Sequence, residues 1–369
     1  MNSGNLYKYI EKCVGNFYNP IEVLTYNRPW NFIIGSRNIG KSTGYAILFI
    51  LDYMINGHKF VYCRRTKDEV TMTCNTFFGN AVYIINEKCK GLIPEIKEVY
   101  YEAGYFYIVT DANPEPQQCG QTVALSLEQK YKSANFSEYY YLVYDEFIAT
   151  DSARYLGNRN TPDREYDACL SLFQTMDRGI DNPFRNEVKF FFLGNNWTVY
   201  NPIFLSLNIS DYVETDAKFI RPKDKGWLVQ LVGEVDATKD YMQSNAFLLA
   251  NEKNRDYAYH NKGVDNDAYI QKMPQGAKKE YYYTLCYEGK KYGVYECQDN
   301  YYIGKYMNLG RPEIALDTAS HYKSDLMLIT SWLDFPLIKV LLDGFKHNRL
   351  YFETGRIKQT FYKYFKLMP

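Results

Sequence analysis

Residues 31–45 read NFIIGSRNIGKSTGY, and no other stretch constrains the fold of this chain as tightly. An apolar run, Phe32 to Ile34, stops at Gly35. Gly35-Ser36-Arg37-Asn38-Ile39-Gly40-Lys41-Ser42 follows, then Thr43 and an apolar, helix-like run to Ile55. This is strand, glycine loop, helix, with the pattern G-x-x-x-x-G-K-S filled at every fixed position. Gly35 and Gly40 let the backbone turn tightly and bring its N–H groups near phosphate oxygens. A helix starting near Lys41 adds its positive dipole end. Lys41 is placed to reach the β- and γ-phosphates of a nucleotide and Ser42 to hold Mg²⁺. A chance glycine turn ahead of a helix would not need the apolar strand before it. Residues 35–43 are therefore read as a P-loop for ATP with Mg²⁺.

A P-loop alone says nucleotide, not what the nucleotide drives. Residues 139–148, YYYLVYDEFI, say more. Tyr139 to Tyr144 is a continuous apolar-aromatic run, as expected of a strand buried on both faces of a parallel sheet. It ends in Asp145-Glu146. In P-loop enzymes such an Asp orders the Mg²⁺ shell, and a Glu directly after it is placed to polarise the attacking water. A third run, Val188 to Leu193, ends in Gly194-Asn195-Asn196, where P-loop motors place an amide that senses the γ-phosphate. A plain strand-ending turn gives the same letters. The order P-loop, Asp-Glu strand, strand plus Asn predicts an α/β domain with a mostly parallel central sheet.

At 369 residues the chain exceeds one ordinary core and suggests two domains. Lys plus Arg and Asp plus Glu balance at 43 each, so whole-chain charge gives no nucleic-acid signal. Eight scattered Cys without C-x-x-C read as buried free thiols of a reducing cytoplasm. Four isolated His offer no zinc site. The longest apolar run, Tyr45 to Ile55, is too short to span a bilayer and contains Asp52. No signal peptide is visible, and a soluble intracellular protein is expected.

Residues 5–17 have helical spacing, and Tyr18-Asn19-Pro20 marks a turn. Tyr26 and Arg28 precede the first strand at a position that contacts adenine in many P-loop motors; a loop packed on the sheet edge fits equally. Lys59 to Cys63 is a second strand ending in Arg64-Arg65, a pair suited to phosphate, to DNA or to a surface ion pair. Residues 68–87 look helical, 97–110 form a hairpin around Ala103-Gly104, and 122–127 suit another strand. Lys130 and Lys132 precede the acidic strand. Residues 151–166 are a polar loop with Arg154, Arg159 and Arg164, and 166–176 are a helix followed by Asp177-Arg178-Gly179. Residues 206–262 read as a linker or lid. From Glu280 three short strands form a meander, and 324–345 and the tail are helical. From Lys339 to the end, seven Lys or Arg face two acidic residues, a local balance of +5 with Tyr351, Phe352, Phe361, Tyr362, Tyr364 and Phe365 interleaved. That composition fits a phosphate-backbone surface, and fits a charged helix face over an aromatic core face equally.

With these residues placed, the first 205 or so resemble the DNA-packaging ATPases of small protein-primed tailed phages, the φ29-like group. The resemblance rests on Tyr18-Asn19-Pro20, on Tyr26 with Arg28 and Asn31-Phe32, and on Ile34-Gly35 with Arg37 and Ile39-Gly40-Lys41-Ser42. It rests further on Arg64-Arg65, Lys132-Ser133, Asp145-Glu146-Phe147-Ile148 and Asn201-Pro202. Over the last third it is confined to the meander and final helices. The resemblance implies a homo-oligomeric ring ATPase, a pentamer, working in the host cytoplasm while attached to the portal vertex of a procapsid. It implies contact with a structural packaging RNA and translocation of double-stranded DNA, with no membrane involved. It implies an additional-strand, catalytic-glutamate P-loop domain (1–205), a linker or lid (206–262) and an α+β RNase H-like domain (263–369).

A nuclease of that type needs converging carboxylates for two metals. Tyr281 to Tyr287 carries no Asp, so a vestigial nuclease domain that binds nucleic acid without cutting is expected. The resemblance also implies an arginine finger acting in trans within L-x-x-T-x-x-R. Leu172 to Arg178 matches it, making Arg178 the candidate and Arg185 the runner-up, with Lys132 a second trans-acting candidate. The resulting expectation is an ATP-driven packaging motor: Lys41 and the loop on phosphates, Ser42 and Asp145 on Mg²⁺, Glu146 on water, Asn195 or Asn196 sensing the γ-phosphate. A terminase with a working nuclease, a P-loop small-molecule kinase and a capsid-assembly protein with a dead P-loop are the rival readings.

Overall fold

A computed structural model describes residues 3–132, 134–150, 154–157, 161, 163–178, 182–196, 198–209, 218–233, 248–249, 268–287, 289–307, 309–317 and 323–366. Most of the expected linker or lid, together with Ser133, Arg159 and Gly179, lies outside the described residues. The chain divides into two compact units. The first is Met1–Thr150 with Glu165–Thr198 and Thr215–Val264; the second is Asp151–Arg164 with Val199–Glu214 and Asp265–Pro369.

The first unit contains α1 (Ser3–Val14), α2 (Ile21–Thr25), β1 (Trp30–Gly35), α3 (Lys41–Asn56), β2 (Lys59–Arg64), α4 (Lys67–Thr73), α5 (Gly79–Lys88), β3 (Ile96–Glu102), β4 (Tyr105–Thr110), β5 (Gln117–Ala124), α6 (Glu128–Tyr131), β6 (Tyr139–Asp145), α7 (Arg164–Asp177) and β7 (Lys189–Asn195). After α8 (Pro202–Leu207), β8 (Phe219–Ile220) and β9 (Trp227–Leu231) complete its sheet. The strand order is β3-β4-β5-β2-β6-β7-β1-β9-β8. From β5 to β9 every pairing is parallel, and the edges β3-β4 and β8 are antiparallel. Strands covered on both faces must be apolar throughout, which is why β1 and β6 lack alternation. Their side chains are buried along almost their whole length.

On one face α1, α3 and α5 close the core, where Phe49 of α3 stacks on Phe60 of β2 at 5.2 Å between ring centroids. On the other, Trp30 of β1 meets Tyr166 and Phe173 of α7. Burial of each such ring is worth about 2–3 kcal/mol. Gly44, in the first turn of α3, permits close approach: a Cβ there would lie 2.7 Å from the carbonyl oxygen of Tyr18.

Three sequence expectations change in this unit. Residues 68–87 are two helices separated by a 3₁₀ turn at Cys74–Thr76. The strand expected at 122–127 begins earlier, because its N-terminal half pairs with the β3-β4 hairpin. Within the segment read as linker or lid, β9 pairs with β1 in parallel; its backbone closes an edge that β1 would otherwise leave open, and its Trp227, Leu228 and Val229 are buried.

The second unit holds β10 (Glu280–Tyr287), β11 (Lys290–Cys297), β12 (Asn300–Lys305), β13 (Glu313–Asp317), β14 (Met327–Leu328), α9 (Ile329–Trp332), α10 (Pro336–Lys346), β15 (Leu350–Phe352) and α11 (Gly355–Lys366). Its sheet order is β14-β13-β10-β11-β12-β15. The antiparallel meander β10-β11-β12 is the one read from the sequence, and β13, β14 and β15 add to it in parallel. The reading of 324–345 and the tail as helical is corrected at two places, since β14 and β15 interrupt the helices to extend the sheet edges. In the tail, Phe361, Tyr362, Tyr364 and Phe365 are core residues. Lys358 is buried as well, its Nζ 4.0 Å from the ring centre of Tyr200 and 4.4 Å from that of Tyr362, donating to Ala268 O at 2.5 Å. The aromatic stripe of α11 is therefore packing. Asn201 caps α8, its side chain accepting from Phe204 N, and Asn208 accepts from Gln359. No helix among the described residues is long and apolar enough to cross a membrane.

Candidate functional site

The site forms at the carboxyl ends of β1, β6 and β7, where the loops of a parallel sheet diverge. Gly40, with φ 83° in the left-handed region that glycine enters freely, lets α3 begin at Lys41. The Lys41 ammonium donates to Gly35 O (3.0 Å), Ser36 O (2.7 Å) and Asn195 Oδ1 (3.1 Å). Ser42 Oγ donates to Asp145 Oδ1 at 3.1 Å. A cavity of about 420 Å³ is lined by residues 37–43, Asp145, Glu146 and residues 193–195. The sequence-predicted Arg37, Asn38, Ile39, Gly40, Lys41, Ser42, Thr43, Asp145, Glu146 and Asn195 thus share one cavity. Gly35 and Ser36 contribute through their carbonyls to Lys41.

Burial governs the electrostatics. It pushes the Lys41 ammonium down to about 7, against the pull of Asp145 and Glu146. It pushes the Asp145 carboxyl up, against Arg64. Arg64 supplies the counter-charge: its guanidinium lies 3.4 Å from Asp145 and 2.8 Å from Glu146. Burial opposes the charge of Arg64, but Asp145 and its neighbours outweigh it and hold the group protonated. Its buried Nε has no hydrogen-bond partner among the described residues. Glu146 sits at φ 57°, a left-handed conformation that costs a non-glycine residue about 1 kcal/mol or more. The next residue is locked, since Phe147 N donates to Leu193 O and its ring lies where a Cβ on Gly194 would be, at 2.7 Å.

Other candidates lie elsewhere. Arg178 and Lys132 are exposed, and neither lines the cavity. The structure brings the two together: the Arg178 guanidinium donates to the Lys132 carbonyl. Arg185 is exposed in the turn after Asn182, and Asn196 follows β7. Arg28 donates to Lys225 O at 2.8 Å, and Tyr26 packs on Phe219 beneath Arg221. Two residues with open sequence readings acquire definite surroundings. Arg64 belongs to the acidic pair, and Arg65 is buried against Glu165. Their signal was the arginine pair itself, but the carboxylates they meet are remote in sequence. Among the described residues no group of three or more His, Cys, Asp and Glu is placed to hold a metal ion.

A mostly parallel α/β sheet thus carries a glycine loop, an acidic pair and an amide around one cavity. The chain belongs to the podovirus DNA encapsidation protein (Gp16) family, which matches residues 11–369. Its function is viral genome packaging. The DNA packaging protein of Bacillus phage phi29 is 26% identical over 357 residues, covering 95% of this chain and 98% of the relative. Among solved structures, the phi-29 viral genome packaging motor assembly superposes with TM-score 0.64 at 24% identity, over 96% of this chain and 100% of the other. The Phi-28 gp11 DNA packaging motor does so with TM-score 0.63 at 19% identity, over 96% and 98%.

Proposed function

We propose that the chain is an ATP-hydrolysing packaging motor that drives double-stranded viral DNA into a procapsid as one subunit of a homo-oligomeric ring. The observation that carries this reading is the single cavity joining Lys41, the Ser42–Asp145 pair, Glu146 and Asn195. Strand order supports the additional-strand, catalytic-glutamate class. In β9-β1-β7-β6-β2, the strand with Asn195 stands between the glycine-loop strand and the Asp-Glu strand.

The residues fit a triphosphate with Mg²⁺. Ser42 Oγ and Asp145 Oδ1 are adjacent hard oxygen donors of the kind Mg²⁺ takes, and Lys41 and Arg37 give the cavity a cationic wall. Mg²⁺, when bound, neutralises charge on the phosphates. Lys41 and the N–H groups of residues 37–43 orient the phosphates. Glu146 accepts a proton from the attacking water, and Asn195, already bonded to Lys41, registers the γ-phosphate. Arg178 and Lys132, exposed together and outside their own cavity, suit action on a neighbouring subunit's nucleotide. A pentameric ring on the portal, held with a structural RNA, is the assembly this reading expects. In the second unit the order β12-β11-β10-β13-β14 supports an RNase H-like sheet. With no Asp on β10, this unit is read as a vestigial nuclease that binds nucleic acid.

ATP hydrolysis across a protein titration, with and without double-stranded DNA and beside Lys41→Ala, tests the proposal. Stimulation by DNA with steep dependence on protein concentration, abolished in Lys41→Ala, is expected. Hydrolysis indifferent to DNA and to concentration would point instead to a self-contained P-loop enzyme.

A further inference from the structure

Arg65 and Glu165 form an ion pair sealed from water. Arg65 is 3% exposed and Glu165 is fully buried. Arg65 Nε donates to both carboxylate oxygens (3.2 and 3.1 Å), and Nη2 donates to Oε1 at 3.0 Å. Tyr144 OH adds a bond to Oε1 at 2.8 Å, and Nη2 reaches the Phe147 carbonyl at 2.7 Å. The Tyr144 ring lies 5.6 Å below the guanidinium. Such a pair is poorly explained by stability alone. Desolvating both charges offsets most of their attraction, and apolar residues of similar volume serve a core as well or better. What a fully bonded buried pair does supply is a fixed relative geometry of the elements that carry its two halves.

Those elements bear on the site. Arg65 follows Arg64, which grips Asp145 and Glu146, and Phe147 follows Glu146. Glu165 stands in the first turn of α7, where the helix dipole favours a carboxylate. The helix is 14 residues long, about 21 Å at 1.5 Å per residue, and Arg178 is the residue after its last. That far end is pinned too. Asn182 Nδ2 donates to Met176 O at 2.6 Å and to Arg178 O at 3.3 Å, and Asn186 N donates to Asp177 Oδ1 at 2.7 Å. One rigid helix therefore runs from a lock beside the acidic pair of one subunit to the arginine offered to the next.

We propose that the Arg65–Glu165 pair is a positioning device. It fixes the head of α7 against the end of β6, so that Arg178 is held in register with the nucleotide of the neighbouring subunit. The inference rests on the reading of Arg178 as acting in trans. It assigns Arg65 and Glu165 to the donor side of the subunit interface, with no part in binding the subunit's own nucleotide.

The test uses the full chain in mixed assemblies. Glu165→Gln keeps the shape and removes the charge. Alone, it should bind a fluorescent ATP analogue within about twofold of wild type, while hydrolysis falls about 100-fold, a substantial share of what an arginine finger supplies. Mixed with Glu146→Gln subunits, which cannot activate water but retain their own Arg178, Glu165→Gln subunits should recover hydrolysis, as Arg178→Ala subunits do. The double variant Arg65→Met, Glu165→Leu guards against misfolding. It should fold and bind nucleotide, and should also require the complementing partner. Rescue of Arg178→Ala without rescue of Glu165→Gln would overturn the proposal, because the pair would then serve its own site. Wild-type hydrolysis by Glu165→Gln, or by the double variant alone, would overturn it equally. Failure to rescue Arg178→Ala would instead remove the trans reading on which it stands.

Discussion

The variant Arg64→Met isolates the counter-charge of the acidic pair. The guanidinium is 8% exposed and its two partners differ: the Asp145 side chain is 14% exposed and that of Glu146 60%. The bond to Glu146 is largely in water and is worth about 0–1 kcal/mol despite its 2.8 Å length. The contact with Asp145 is desolvated, and removing one partner of a buried pair costs about 3–5 kcal/mol. The lower end applies, since that contact is long at 3.4 Å and Asp145 keeps Ser42 Oγ and the hydroxyl of Tyr62. The expected loss is about 3 kcal/mol, which for a unit of this size lowers its melting temperature by about 6–12 °C. On the proposed reading of the site, saturating Mg·ADP changes the balance, because a bound divalent cation would become the largest local charge and take over the task of Arg64. Near-ultraviolet circular dichroism melts without nucleotide and with Mg·ADP should therefore show a large deficit in the first condition and a smaller one in the second. An equal drop in both, or none in either, would refute the reasoning.

Two further outcomes follow from burial. Lys41, held down near 7 by burial, takes up a proton when an anionic phosphate restores its charge. Nucleotide affinity should then be flat below pH 7 and fall by up to about tenfold per unit above it. The stability of the nucleotide-free protein moves oppositely, rising as pH climbs above 7, because the unfolded chain then binds the extra proton. Fluorescent-nucleotide titrations and melts between pH 6 and 9 would show both slopes in the wild type and neither in Lys41→Ala; a pH-independent wild-type affinity would contradict the assignment. Every cysteine except the half-buried Cys286 is buried, and burial pushes the Cys13 thiol up to about 12. A disulfide-exchange reagent should label one thiol quickly in the native protein and the rest only on unfolding; two or more fast thiols would contradict the packing.

The part of the site that was legible in the sequence is the part made by local chemistry. The glycine loop announces itself because a tight turn into a helix needs Gly35 and Gly40 at fixed spacing. The Asp145-Glu146 pair announces itself because a strand buried on both faces leaves few polar letters, and those that remain stand at its end. What was hidden depends on partners far away in the chain. β9 was unreadable as a sheet member because nothing local says that β1 has an open edge. β13, β14 and β15 have five, two and three residues, too few to display a period. Lys358 looked like one charge of a basic stripe, since a lysine caged by Tyr200 and Tyr362 is spelled the same as one in water.

The arginine pair is the sharpest case, and its two members show why adjacency matters. Successive side chains along an extended strand point to opposite sides. At the end of β2 this sends Arg64 toward Asp145 and Glu146, and Arg65 toward Glu165 at the head of α7. A single arginine could serve only one of these. Two in succession tie the acidic pair and the helix leading to Arg178 to the same short piece of backbone. A displacement of that strand end therefore acts on both at once. The sequence displayed the two letters, but their division of labour depends on carboxylates supplied by β6 and α7, which only the fold brings within reach.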